Sequence, residues 1–255
     1  KGLEAVLSFI LPEKALAYLF GKEDFESCGS LPCSFNNTST WGSVTASLDS
    51  TSKVAGADSL KEVVAGEGSG ALESINHNKD EVWVQFKVFV PSSMTWGASG
   101  YFSALRFEDS SNGGIFWMNV ENWGTPRLTM MGDTLSWTNT GLDLVAGQVN
   151  TIELRFKKGT TNGDVDIWLN NSVQNSPNYN SSGTLNTGTD NVDDILVGVT
   201  YSPETGVATT YYDDISIDTA FIGVPSSAPV EPFDAVLQDS TYIYDAVGNI
   251  THIVD

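Results

Sequence analysis

Histidine and positive charge are both scarce in this chain. His77 and His252 are its two histidines, and 12 Lys and Arg stand against 32 Asp and Glu, a formal charge of −20 over 255 residues. A surface of that sign repels a phosphate backbone and argues against nucleic acid as a partner. It also disfavours an acidic polysaccharide, unless a local basic patch or a bound cation intervenes. Cysteine is limited to Cys28 and Cys33, in Cys-Gly-Ser-Leu-Pro-Cys, with no further Cys or His beside them to complete a zinc set. A small disulfide loop is expected there, fitting an oxidising compartment; two free thiols are the other reading. No run reaches the ~18 apolar residues of a membrane span. The apolar segment Ala5 to Phe20 is cut by Pro12, Glu13 and Lys14 and lacks a signal-peptide cleavage pattern. No nucleophilic-serine motif or phosphate loop is present.

What is abundant is uncharged polar sequence. Charged residues make up 17% and apolar ones 40%, and much of the rest is Ser, Thr, Asn and Gly. That mixture suits an extracellular β-protein rich in turns, and the length suits one sandwich of roughly 200 residues with short appendages. Val82, Val84, Phe86, Val88 and Val90 alternate with Trp83, Gln85, Lys87 and Phe89; Ile152-Leu154-Phe156 and Val165-Ile167-Leu169 alternate in the same way. Period-two runs of this kind are strands with one buried face. Further strands are expected near 101–109, 114–122, 127–131, 194–201 and 211–217, separated by turn clusters such as Ser110-Ser-Asn-Gly-Gly114 and Gly159-Thr-Thr-Asn-Gly163. Many short strands with almost no helix between them mean a two-sheet sandwich.

The ends differ in texture. Residues 1–22 predict an apolar helical segment, with Ala5, Phe9, Leu16, Leu19 and Phe20 at about helical spacing and Gly21 ending it. The sandwich is expected over 23–223, a Pro/Ser linker over 224–239 and a strand-turn-strand unit over 240–255. The chain opens on Lys1, so it is read as a processed piece of something longer, secreted or displayed at a cell surface. The apolar residues of the two ends are expected to pack on another copy or a neighbouring domain, or to fold back on the sandwich.

One expected sheet face carries candidate chemistry. In Gly114 to Asn122, Phe116, Met118 and Val120 read as core, which leaves Trp117, Asn119 and Glu121 on the opposite face. A hairpin closed by Ser110 to Gly114 sets Arg106 opposite Trp117, Ala104 opposite Asn119 and Glu108 opposite Ile115. The next turn brings Arg127 opposite Glu121, with Thr129 beside them. A ligand set of Arg106, Trp117, Asn119, Glu121 and Arg127 suits a sugar: the indole covers an apolar C–H face while the polar groups bond hydroxyls. An Arg–Trp stack with a Glu–Arg surface pair is the purely structural reading. Trp96 and Trp123, in loops, are expected to rim the same face. Trp83 and Trp168 are expected to cover the outside of the other sheet or to join the core.

Two resemblances follow from ordered motifs. Asp24-Phe-Glu-Ser27, a Trp41 loop, Glu81-Val-Trp-Val-Gln-Phe-Lys-Val, Gly147-Gln148 before Thr151-Ile-Glu-Leu-Arg-Phe, Asp166-Ile-Trp-Leu-Asn170 and Tyr211-Tyr-Asp-Asp-Ile-Ser-Ile217 occur in the order of the concanavalin A-like lectin/glucanase superfamily, which includes laminin G-like modules. The resemblance implies a jelly-roll sandwich with one concave sheet, in a superfamily of lectins, hydrolases, lyases and adhesive modules. It also implies a structural calcium tying the first strand to the last, with Asp24 and Glu26 meeting Asp213 or Asp214; Asp190, Asp193 and Asp194 form a second acidic group. The single-strand Glu-x-Asp-x-x-Glu pattern of the superfamily's glucanases is absent, and neither histidine has an obvious partner for lyase chemistry. Secondly, Tyr242-Ile-Tyr-Asp-Ala-Val-Gly-Asn249 resembles the Tyr-Asp repeat of RHS-type surface and toxin proteins. The expected function is therefore non-catalytic carbohydrate binding in such a protein. An adhesive module assembling through its ends is the alternative, and a polysaccharide lyase or hydrolase the third.

Overall fold

A computed structural model describes residues 21–51, 54–96, 100–203, 208–223, 241–244 and 250–254. Residues 1–20 of the helical segment expected over 1–22 and the linker over 224–239 lie outside these, and Gly21 and Lys22 are strand rather than helix. Thirteen strands build the main unit: β1 (Gly21–Glu23), β2 (Asn37–Asp49), β3 (Ser59–Ser74), β4 (Glu81–Phe89), β5 (Tyr101–Glu108), β6 (Gly114–Asn122), β7 (Pro126–Gly132), β8 (Thr138–Asp143), β9 (Val149–Lys157), β10 (Asp164–Leu169), β11 (Tyr179–Asn180), β12 (Asp194–Tyr201) and β13 (Ala208–Asp218). No helix occurs among the described residues. Hydrogen bonding runs β11-β10-β9-β4-β13-β3-β12-β5-β6-β7-β8.

The long β2–β3 hairpin is what makes two layers of this continuous order. The first half of β3, Leu60 to Val64, pairs with β13, and its last residues, Leu72 to Ser74, pair with β12. β2 follows β3 along almost its whole length, with a register shift between Gly42 and Val44. One layer is thus β11, β10, β9, β4 and β13, the other β12, β5, β6, β7 and β8, and the hairpin belongs to both. Phe156 of β9 meets Phe107 of β5 and Phe116 of β6 at 5.4 Å each, so these aromatics form the floor between the layers. This all-β jelly roll agrees with the alternation in the sequence. The hairpin itself was not expected: Asn37-Thr-Ser-Thr-Trp-Gly-Ser-Val and Gly66-Glu-Gly-Ser-Gly70 lack the apolar alternation that announces a strand. Trp41, read as part of a loop, lies within β2, and Gly21, read as a helix end, opens β1 against β13.

Outside the first layer, Trp83, Trp168 and Phe221 pack together at 5.2 to 5.6 Å. Glu153 fastens the segment above them, accepting N–H bonds from Ile222 (2.7 Å) and Gly223 (2.9 Å) and one from Gln85 Nε2 (3.0 Å). Both indoles are buried, so they cover the outer face of the sheet as one of the two sequence readings had it. Cys28 and Cys33 are joined in a disulfide. A separate unit contains β14 (Thr241–Tyr244) and β15 (Ile250–Val254), antiparallel with Thr241 opposite Val254; residues 245–249, where the turn was expected, lie outside the described set.

Several acids are buried in the sandwich. Glu62 of β3 is fully enclosed; one carboxyl oxygen accepts the Val199 N–H and the other has no partner. Burial holds its pKa well above the usual carboxylate range. Burial pushes Asp213 up to about 6, against hydrogen bonds from Asp214 N, Ala55 N and Ser59 Oγ. An acid with a raised folded pKa holds its proton more tightly folded than unfolded, so its contribution to stability falls as pH climbs from the unfolded value to the folded one. For Asp213 that window runs from about 4 to about 6, and a shift of this size corresponds to on the order of 3 kcal/mol. The melting temperature is therefore expected to fall by several degrees between pH 4.5 and pH 7 in the presence of chelator. A calcium ion held by Asp213 would favour the ionised form and raise the pH 7 melt, so calcium titration at that pH checks the cation as well. A melting temperature that climbs steadily from pH 4.5 to 7 in chelator would contradict the assignment.

Candidate functional site

The outward face of β12, β5, β6 and β7 shows three rows of residues set by strand register. Leu196, Arg106, Trp117 and Met131 form one row. Tyr201, Ser103, Asn119, Thr129 and Asn139 form the middle row and continue it onto β8. Tyr101, Glu121, Arg127 and Asp143 form the third. Phe116, Met118 and Val120 point into the core between them, as the alternation required. Two register details differ from expectation. A bulge between Ser103 and Leu105 brings Ser103, not Ala104, opposite Asn119, and a second shift sets Glu108 opposite Gly114 rather than Ile115.

A depression of about 300 Å³ opens on this face, lined by Tyr101, Ser103, Arg106, Trp117, Asn119, Met131 and Tyr201. Asn119 is 2% exposed at its floor. Its Oδ1 accepts the Ser103 hydroxyl at 2.6 Å, and no protein acceptor takes its amide hydrogens among the described residues. A buried amide with free donors facing a depression needs an acceptor from solvent or a ligand. The wall is aromatic: Arg106 lies over the Trp117 ring at 5.4 Å, and Tyr201 stacks on Trp41 of β2 at 6.4 Å.

Beyond the depression the face rises to a second aromatic station. Trp123 and Trp137 are stacked at 6.1 Å with 16° between planes, and each is half exposed. Glu121 fixes both, accepting Trp137 Nε1 at 2.7 Å and Trp123 Nε1 at 3.1 Å, with the Thr129 hydroxyl at 2.7 Å. Arg127 backs Trp123 at 5.3 Å and is held by two bonds to Asp143, at 2.6 and 3.0 Å. Solvent-facing indoles locked by hydrogen bonds at their edges present flat apolar surfaces at low entropic cost.

All five expected ligand residues, Arg106, Trp117, Asn119, Glu121 and Arg127, are thus on one face, and Trp123 rims it. Trp96 does not: it stacks on core-facing Phe102 at 6.1 Å and packs against the hydrophobic core. Sequence reasoning missed Trp41, Tyr101, Tyr201 and Trp137. Tyr101 was hidden by the bulge: counted back from Arg106, plain alternation puts Ala104 on the face and Tyr101 on the core side. Tyr201 comes from β12, which pairs with β5 but lies far from it in sequence, and Trp41 comes from β2, which reaches the face through β3.

The four acids expected around calcium are dispersed among separate partners. Asp213 takes the three hydrogen bonds already described, Asp214 pairs with Lys87 at 2.6 Å, Asp24 lies 4.0 Å from Lys22, and Glu26 accepts the Ala57 N–H at 2.5 Å. The first-strand acid that is buried is Glu23, which binds Phe25 N, Ser34 N and Ser34 Oγ. Among the described residues, three carboxylates converge instead at Glu73, Glu108 and Asp194. Burial raises the pKa of Glu108 despite Arg106 beside it, and burial likewise raises Asp194. Asp190 and Asp193 line a separate polar hollow with Asp109, Asn78 and Asn191. His77 sits away from the aromatic face, its Nε2 3.0 Å from the Ser74 hydroxyl and its pKa lowered by burial.

No protein-family model and no curated protein matches this chain. Solved structures do match in fold. A protein described as "Cellulose induced protein, Cip1" is 18% identical with a TM-score of 0.58, over 80% of this chain and 99% of that one. A sialidase is 11% identical with a TM-score of 0.55, over 80% of this chain but 19% of its own. A carbohydrate esterase from the Shiga toxin-encoding bacteriophage phi24B is 14% identical with a TM-score of 0.51, over 78% of this chain and 96% of that one. These likenesses show a jelly-roll fold, consistent with the concanavalin A-like resemblance in the sequence.

Proposed function

We propose that this chain is a carbohydrate-binding module whose ligand lies on the aromatic face of β12, β5, β6 and β7. The observation that carries the reading is Asn119, a buried amide with free donors at the floor of a depression walled by Trp117, Tyr101 and Tyr201. Sugars match that chemistry: hydroxyl oxygens accept from the amide, and C–H faces cover the rings. The names of the fold neighbours, cellulose-induced protein, sialidase and carbohydrate esterase, lie in the same field and support the reading without carrying it. Binding rather than turnover is proposed because the face offers no histidine. Of its carboxylates, Glu108 is paired with Arg106, Asp143 with Arg127 and Glu121 with two indoles and Thr129, while Asp194 accepts the Asn76 N–H beside Glu73 and Glu108. A secreted or cell-surface location and an RHS-type parent protein belong to the same proposal, on the disulfide and on the Tyr-Asp motif.

Asn119→Ala is expected to weaken glycan binding about tenfold, the loss of one or two hydrogen bonds to a neutral ligand. Its melting temperature should fall by several degrees with the fold kept, because the buried Ser103 hydroxyl loses its one acceptor, at about 1–3 kcal/mol. A glycan array identifies the ligand, and calorimetry on the wild type and variant reads the change. Unchanged affinity in a folded variant would remove Asn119 from the site.

A further inference from the structure

We infer, resting on the glycan reading above, that the ligand is an uncharged polysaccharide lying side-on across the strands, not an acidic glycan and not a single terminal sugar. Arg106 and Arg127 are the only cationic residues on β2, β5, β6, β7, β8 and β12. Each already stands beside a carboxylate: Arg106 Nε lies 2.8 Å from Glu108 without making a hydrogen bond to it, and Arg127 binds both oxygens of Asp143. Each is also spread over an indole. Glu121 and Asp194 add negative charge on the same strands with no further cation to match. A uronate, sialate or sulfate arriving here would meet a net negative face within a chain of charge −20. The local basic patch that could reverse this bias is not there among the described residues.

The middle row fixes the direction. Tyr201, Ser103, Asn119, Thr129 and Asn139 sit side by side on five neighbouring strands. Four strand spacings of about 4.8 Å make this line about 19 Å long, longer than one sugar ring. Ser103 and Thr129 are buried, with their hydroxyls given to Asn119 and Glu121, so the Asn119 amide and the partly exposed Tyr201 and Asn139 are the polar groups of this line that a ligand meets. Aromatic surfaces flank the line at both ends, Trp41 on Tyr201 and Trp137 on Trp123. Contacts at both ends of a line of about 19 Å call for several linked sugars, so the interior of a chain is the fitting ligand.

The test is affinity electrophoresis of the full chain at low salt. One set of gels carries the neutral polymers β-glucan, xylan or galactomannan, the other the uronates alginate or polygalacturonate. Retardation in a neutral gel with free migration in both uronate gels is the expected result. Tetrasaccharide from the retarding polymer should then compete at least tenfold better than its monosaccharide. Retardation by a uronate and by no neutral polymer would overturn the inference and leave the glycan reading standing. Equal competition by monosaccharide and tetrasaccharide would overturn the side-on chain. Retardation in no gel would sink the glycan reading and the inference together.

Discussion

Replacing Trp123 and Trp137 together with alanine is expected to weaken glycan binding by between about 30-fold and about 160-fold, at about 1–1.5 kcal/mol for each lost aromatic contact. The two rings are 50% and 48% exposed, so their removal uncovers little core. Glu121 keeps the Thr129 hydroxyl as a partner when both indole N–H groups are gone. The melting temperature of the double variant should therefore stay within a few degrees of the wild type. Trp83→Ala is the matched control from the opposite layer. That ring is 7% exposed and packs on Trp168 and Phe221, so its loss should lower stability while affinity survives. Full affinity in the double variant would show that the exposed indoles are not contact surface.

The second large effect is on folding. At Gly42 the backbone has a φ of +68°, and a Cβ there would stand 2.1 Å from the carbonyl oxygen of Glu67. The residue sits where β2 and β3 shift register, in the hairpin that belongs to both layers. Left-handed backbone alone costs an alanine about 1–2 kcal/mol, and the clash with a carbonyl in the paired strand can be relieved only by opening the ladder. Gly42→Ala should therefore cost on the order of 3 kcal/mol or more, a fall of about 6–12 °C in melting temperature for a domain of this size. Gly124 has a φ of +88° but open space around its Cβ position. Gly124→Ala should cost only the conformational part, about 1–2 kcal/mol. Equal melting temperatures for the two variants would contradict the role given to the hairpin crossing.

The contrast between these two regions also explains what could be read from the sequence. The face was legible because β5, β6 and β7 are consecutive hairpins. Alternation alone separated Phe116, Met118 and Val120 from Trp117, Asn119 and Glu121, and turn chemistry fixed Arg106 opposite Trp117. The one-residue error at Ser103 came from a bulge, which leaves the pattern of apolar residues intact and so gives no sequence signal. Tyr201 and Trp41 were not legible as site residues because their strands are distant in sequence, β12 pairing with β5 and β2 meeting the face through β3. The hairpin was hidden by its composition: half in each layer and rich in glycine, it never alternates long enough to announce a strand. Trp137 precedes β8 in a short polar stretch, and only the hydrogen bond to Glu121 shows why it is held there. The acids of the expected calcium set come from opposite ends of the sandwich sequence, and backbone N–H groups and lysines take each one separately.

The central claim is that one face of one layer binds sugar, and the indole N–H resonances test it most directly. The chain has seven tryptophans, two of which, Trp83 and Trp168, lie on the outside of the other layer. Titration with a tetrasaccharide of the retained polymer should shift the indole signals of Trp117, Trp123 and Trp137 in a saturable way. Those of Trp83 and Trp168 should not move. Saturable shifts confined to Trp83 and Trp168, or binding that moves none of the three face indoles, would contradict the account.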